Sequence, residues 1–117
     1  MTSSYKQLVT DIGGKLKDLN KEIPETMQGF QQMSKATHND GALSAKTKEL
    51  IATAIGVAAR CQGCLGFHAQ ACVRMGVTRK EFEEMLQVAI YMGGGPSVMT
   101  AAEALQAYEE FGGEKPA

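Results

Sequence analysis

With 117 residues, 44% hydrophobic and 21% charged, the chain can build one compact core, is too short for two ordinary domains, and lacks the balance of a disordered chain. A formal net charge of −1, with no basic run interleaved with aromatics, excludes the electrostatic footprint of a nucleic-acid or anionic-membrane binder. Three cysteines, with no signal peptide in the charge-punctuated "MTSSYKQLVTDIGGKLKD", point to a reducing, cytoplasmic compartment, where close cysteine spacing indicates catalysis or metal more than a structural staple.

Strand-type alternation is missing and helical spacing recurs, so the expected class is all-α: one compact domain over 1–117 with six helices and short loops. The first helix runs from about Tyr5 to Leu19. Pro24 opens the second, which carries a stripe of Met27, Phe30 and Met33 and closes at "HNDG". Ser44 caps a third helix reaching about Ala59. After Glu49 its stretch "ELIATAIGVAAR" is apolar on nearly every side, which suits the centre of a fold or an interface. A fourth helix holds the cysteines and stops at Gly76. The fifth begins at Thr78, where Thr78 and Glu81 form a T-x-x-E capping box and Val77 and Phe82 are placed for a hydrophobic staple. Its stripe is Phe82, Met85, Leu86, Ala89 and Ile90, and Gly93 can end it. Pro96 and Ser97 start the sixth, ended by Gly112 and Gly113. The uncharged run from Met85 to Ala102 is broken by "GGGPS", so no membrane span is expected. Aromatics make up only 6% of the chain and Trp is absent, so packing relies on Ala, Gly and Met; self-association into a homo-oligomer would bury more area.

The chemistry concentrates in "RCQGCLGFHAQAC", Arg60 to Cys72. On a continuous helix Cys61, Cys64, His68 and Cys72 share an arc of roughly 80°, and four side chains climbing about 5 Å per turn cannot surround one ion tetrahedrally. A metal site would have to combine Cys64 and His68 with ligands from elsewhere. Covalent haem attachment needs C-x-x-C-H, and residue 65 is Leu. The bland alternative, small buried residues and a satisfied core histidine, suits Cys72 best, which lies between Ala71 and Val73. Cys61 and Cys64 suit a redox pair. A helix N-terminus lowers thiol pKa values, two thiols three residues apart can close a disulfide, and His68, one turn past Cys64, can take its proton. A thioredoxin fold would need flanking strands. Glu49, the only acidic residue between Asp40 and Glu81, is then either an exposed first-turn carboxylate or the outer member of a relay with His68.

Written E-x11-C-x2-C-x3-H, Glu49, Cys61, Cys64 and His68 resemble the core of the alkylhydroperoxidase D / carboxymuconolactone decarboxylase family. The resemblance covers about Leu43 to Phe111, including "RKEFEEMLQVAIYMGGGPSVMTAAEAL", and leaves residues 1–42 without a recognised signature. It implies an all-helical fold assembling as trimers or trimers of dimers. In the C-x-x-C branch it implies thiol-dependent reduction of hydroperoxides. There Cys64 becomes the sulfenic acid, Cys61 donates a proton and then resolves it as a disulfide, and Glu49 and His68 relay protons. Electrons come from a dithiol reductant, a lipoyl-bearing partner in better-known members. Gln62 and Phe67 receive no role, and Cys72 lies outside the motif. The decarboxylase branch lacks the cysteine pair.

The expectation is therefore a thiol peroxidase with no metal, haem or flavin, whose working group is the Cys61–Cys64 disulfide. The alternatives are a dithiol–disulfide oxidoreductase that handles no peroxide, a lyase acting on a small carboxylated lactone through His68, and a non-catalytic redox-sensing helical module.

Overall fold

The computed structural model describes residues 4–117; residues 1–3 of the expected 1–117 domain, and of the stretch read as lacking a signal peptide, lie outside them. Six helices follow one another: α1 (Tyr5–Glu22), α2 (Pro24–Thr37), α3 (Ala45–Ala58), α4 (Gln62–Arg74), α5 (Arg79–Gly93) and α6 (Gly95–Glu110). Local side chains explain most of the boundaries. Ser44 accepts the Thr47 N–H at the start of α3, and Thr78 and Glu81 close both halves of the capping box at α5. Pro24 occupies the first turn of α2, where no N–H is missed.

One boundary differs from the sequence expectation. α1 continues past Leu19 to Glu22, so only Ile23 separates it from α2. α5 ends at Gly93 as expected, and Gly94, with φ 73°, turns the chain into α6. The absence of a side chain at Gly93 makes room for Ser97, which a Cβ there would strike.

α4 lies at the centre, against α1, α3 and α6, while α5 closes the core against α3 and α6. Val57, Leu65, Ala69, Phe82, Ala104 and Tyr108 are among its buried residues. The few aromatics are used in concentrated form. Phe82 and Tyr108 stack with centroids 4.6 Å apart, and the Tyr108 hydroxyl donates to the Val77 carbonyl at 2.8 Å and accepts the Glu114 N–H at 3.1 Å. Within one chain the α2 stripe is only partly covered: Met27 is half-buried, but Phe30 and Met33 are exposed, because α2 leans chiefly on α1. α3 is likewise divided, with Thr53, Gly56 and Val57 in the core and Ile51 and Ile55 in solvent. No described helix is long and apolar enough to cross a membrane.

Two devices fasten α1 over the central helix. Gly63 and Gly66 leave α4 without side chains where α1 crosses it: a Cβ on Gly66 would stand 2.7 Å from Val9 Cγ2, and one on Gly63 2.9 Å from Ile12 Cδ1. The second device is a pair of α6 carboxylates. Glu110 Oε1 accepts the backbone N–H groups of Tyr5 (2.7 Å) and Lys6 (3.2 Å), filling donors that the start of α1 leaves free. Glu103 accepts from the buried Tyr5 hydroxyl and from Gln62 Nε2 at 2.9 Å, so it ties α1 and the start of α4 to α6.

Gly66→Ala should therefore lower stability by about 1–3 kcal/mol, the usual range for overpacking, and raise amide exchange throughout α1. Gly63→Ala should cost less, since the tip of Ile12 can swing aside and alanine gains about 1 kcal/mol of helix propensity over glycine. Equal costs in thermal melts would contradict this account. A second expectation concerns acid. Burial opposes ionisation of Glu110, but hydrogen bonds from Gln106, Lys6, Tyr5 and Ser4 outweigh it and hold the carboxyl below its ordinary value. A carboxyl depressed in the folded state contributes stability that is present above the unfolded value, about 4.3, and lost as pH falls through the folded one. The difference in melting temperature between wild type and Glu110→Gln should thus narrow below about pH 4.

Candidate active site

The site begins at a helix end. α3 finishes with the Cys61 N–H on the Gly56 carbonyl and the Arg60 N–H on the Val57 carbonyl, both at 3.1 Å, with Arg60 left-handed at φ 56°. The same closure recurs at Gly76 and Gly112, where glycine takes the left-handed position. At Arg60 it costs about 1–2 kcal/mol of backbone strain. That turn sets Cys61 in extended conformation at the N-cap of α4, its Sγ accepting the Cys64 N–H at 3.1 Å. Cys61 is thus the cap of the helix and not a member of its first turn, which corrects the single-face placement of all four side chains.

Cys61 and Cys64 are joined by a disulfide across a Cα–Cα distance of 5.1 Å, and both are half-buried. They occupy the positive end of the α4 dipole, where a thiolate is favoured once the bond opens. α3 passes close beneath: a Cβ on Gly56 would lie 3.1 Å from Cys64 Cβ.

Glu49 is not an exposed first-turn carboxylate. It is 2% exposed, and its Oε1 lies 2.6 Å from His68 Nδ1. A carboxylate only accepts, so Nδ1 carries the hydrogen and Nε2 of the neutral ring keeps a lone pair. His68 itself is half-buried on α4, one turn beyond Cys64.

Cys72, the third cysteine, is fully buried, with its sulfur 3.4 Å from Thr53 Oγ1. Burial pushes its thiol up to about 11, with the contact to Thr53 opposing the shift. It is a free thiol of the core.

The sequence reading passed over His38, the other histidine. It follows α2 as its C-cap, and its Nε2 stands 3.5 Å from Glu49 Oε2. The available signal was only that the chain has two histidines; nothing local ties residue 38 to residue 49. Glu49 thus lies between two imidazoles. The 2.6 Å contact to His68 is a hydrogen-bond length with no space for an ion between the atoms, and among the described residues no group of three or more His, Cys, Asp or Glu is arranged to hold a metal.

Comparison with known proteins agrees with this architecture. The model of the carboxymuconolactone decarboxylase family matches residues 24–107, taking in α2 and starting well before Leu43. An uncharacterized protein from Cupriavidus necator is 38% identical over 109 residues, covering 93% of this chain and 96% of its own length. A crystal structure of a carboxymuconolactone decarboxylase family protein from Legionella pneumophila superposes with a TM-score of 0.91 at 51% identity, covering 94% of this chain and 98% of that one. A family member from Thermotoga maritima, for which involvement in an antioxidative response has been suggested, gives 0.78 at 25% identity with 87% of each chain covered. By sequence and by fold, the chain belongs to the carboxymuconolactone decarboxylase family.

Proposed function

We propose that the protein is a thiol-dependent hydroperoxide reductase. The observation that carries this reading is the conjunction, on α4, of an oxidised cysteine pair at the N-terminus with a histidine one turn further on that is held by a buried carboxylate. The suggested antioxidative part of the Thermotoga maritima protein supports it.

In the reduced enzyme His68 Nε2 takes the Cys64 proton while Glu49 steadies the imidazolium. The Cys64 thiolate attacks one peroxide oxygen and the O–O bond breaks. The departing alkoxide takes a proton from the Cys61 thiol, giving Cys64 sulfenic acid and an alcohol, or water from hydrogen peroxide. The Cys61 thiolate then displaces the hydroxyl of the sulfenic acid, which leaves as water with the proton held on His68, and forms the Cys61–Cys64 disulfide. An external dithiol, for which a lipoyl-bearing protein is a fitting class, restores both thiols by exchange and leaves as its own disulfide. No metal, haem or flavin enters this cycle.

Self-association supplies the remaining cover. Val88, Tyr91 and Met92 on α5 and Val98 and Met99 on α6 are all exposed. Such apolar surface exceeds what scattered single residues present and suits a homo-oligomer, trimer or hexamer. Light scattering should give a multiple of the chain mass, and Val88→Glu with Met92→Lys should reduce it; a monomeric wild type would end this part of the reading.

Single-turnover assays test the chemistry. Pre-reduced protein should consume about one equivalent of an organic hydroperoxide and lose two thiols, as the cycle requires. In Cys61→Ser, dimedone should trap a sulfenic acid on Cys64, whereas Cys64→Ser should trap little. Glu49→Gln and His68→Gln should each slow the reaction, and the double variant should be little slower than the worse single one, since residues acting as a unit are non-additive. Thiol loss to small disulfides without peroxide consumption would replace this proposal with dithiol–disulfide exchange.

A further inference from the structure

Buried at 2% exposure, Glu49 has two carboxylate oxygens to satisfy, and His68 engages only Oε1. Oε2 faces His38 Nε2 at 3.5 Å. The other side of the His38 ring is pinned: Nδ1 lies 2.6 Å from the Ser34 carbonyl, which can only accept. Nδ1 therefore carries a hydrogen in every protonation state, and Nε2 of the neutral ring would turn a lone pair toward the carboxylate. Only the imidazolium donates at both ends, to Ser34 on one side and to Glu49 on the other.

The surroundings fix this ring in place. The Lys48 ammonium donates to the Asn39 carbonyl at 2.7 Å, and Asp40 Oδ1 accepts the Ala45 N–H at 2.7 Å, so the loop carrying His38 is tied to the first turn of α3 at two points. Unlike Glu49, His38 is 52% exposed by side chain, and it lines an open cleft of about 540 Å³ between the end of α2 and α3, with Thr37, Lys48, Ile51, Ala52 and Ile55. The ring thus touches solvent and the buried carboxylate at once. The titratable groups around it are Lys35 at the end of α2, Asp40 in the loop, Lys48 and Glu49 on α3, and His68 on α4, which it meets through Glu49.

We infer that His38 is a positioning residue, the third and solvent-facing member of the Glu49–His68 unit, whose protonation from the α2–α3 cleft sets how strongly Glu49 holds His68. With His38 charged, Glu49 divides its charge between two cations. With His38 neutral, the whole carboxylate charge acts on His68, favouring its imidazolium and the Cys64 thiolate that balances it. The inference rests on the proposed dithiol reading for its use and on the Glu49 geometry for its existence.

The test reads Cys64 alone and needs no peroxide. Fully reduced protein is alkylated with iodoacetamide from pH 5 to 9, and the modified cysteine is located by fragment mass spectrometry. Glutamine at position 38 keeps a donor for Glu49 but cannot ionise, so His38→Gln should shift the midpoint of the Cys64 profile by about one pH unit toward lower pH, the scale of a lost neighbouring charge. His38→Leu, which removes the donor too, should in addition lower the plateau rate roughly tenfold, less than the 10²–10⁴ contributed by groups touching the reacting atoms. In a Glu49→Gln background, His38→Gln should move the midpoint no further. An unshifted profile in His38→Gln with unchanged thermal stability would overturn the inference, as would a shift that persists without Glu49. Peroxide consumption, measured separately, distinguishes the two proposals: a shifted profile in a protein inert to peroxide removes the peroxidase reading and leaves the His38 assignment standing.

Discussion

A carboxylate taken out of water is costly unless it is paired, and the buried carboxylate of Glu49 organises the site around that requirement. Its partner on α4, His68, comes within 2.6 Å only because α3 and α4 cross closely. That approach depends on Gly56, which leaves 3.1 Å where a Cβ would face Cys64 Cβ, and on the hydroxyl of Thr53, which covers the Cys72 sulfur and donates to the Glu49 carbonyl at 2.8 Å. The same crossing therefore aligns the carboxylate–imidazole hydrogen bond, the cysteine pair and the buried third cysteine. A bulkier α3 would separate Glu49 from its imidazole and leave an unpaired buried charge.

The dithiol depends on a second constraint, the abrupt turn at Arg60. Two helices that follow each other with three residues between them must reverse direction at once, and the left-handed Arg60 does so while delivering Cys61 to the cap of α4. Backbone strain is tolerated where the surroundings over-determine it, and here it places sulfur at the positive end of a helix. Cys61 Sγ already receives the Cys64 N–H in the oxidised state. The reactive pair is thus held by rigid elements on both sides, with α1 laid over Gly63 and Gly66 as the outer brace.

Much of the outline was legible in the chain because helix boundaries are local events. Ser44, Thr78 with Glu81, Pro24, Gly76 and Gly112 act within a turn of themselves, so their types and spacing mark the ends of α2 to α6 without knowledge of the fold. The cysteine pair and its spacing to His68 are legible for the same reason. The end of α1 was read short because no side-chain cap marks it, and the use of Gly93 in making room for Ser97 was not legible because it follows from how the chain turns between α5 and α6.

Sequence by itself thus determined the all-helical class, the approximate helices and the four residues Glu49, Cys61, Cys64 and His68 as candidates. It left open whether Glu49 faced solvent or an imidazole. Only the tertiary structure decided that, because burial is a property of neighbours and Glu49 is buried by helices distant from it in the chain. The same holds for Phe30 and Met33, whose stripe is visible in the sequence but left uncovered by the placement of α2. His38 shows it most plainly. Its type and its position after α2 could be read, yet its meeting with Glu49 exists because the loop after α2 is tied back to α3, and no short-range pattern encodes a contact made by packing.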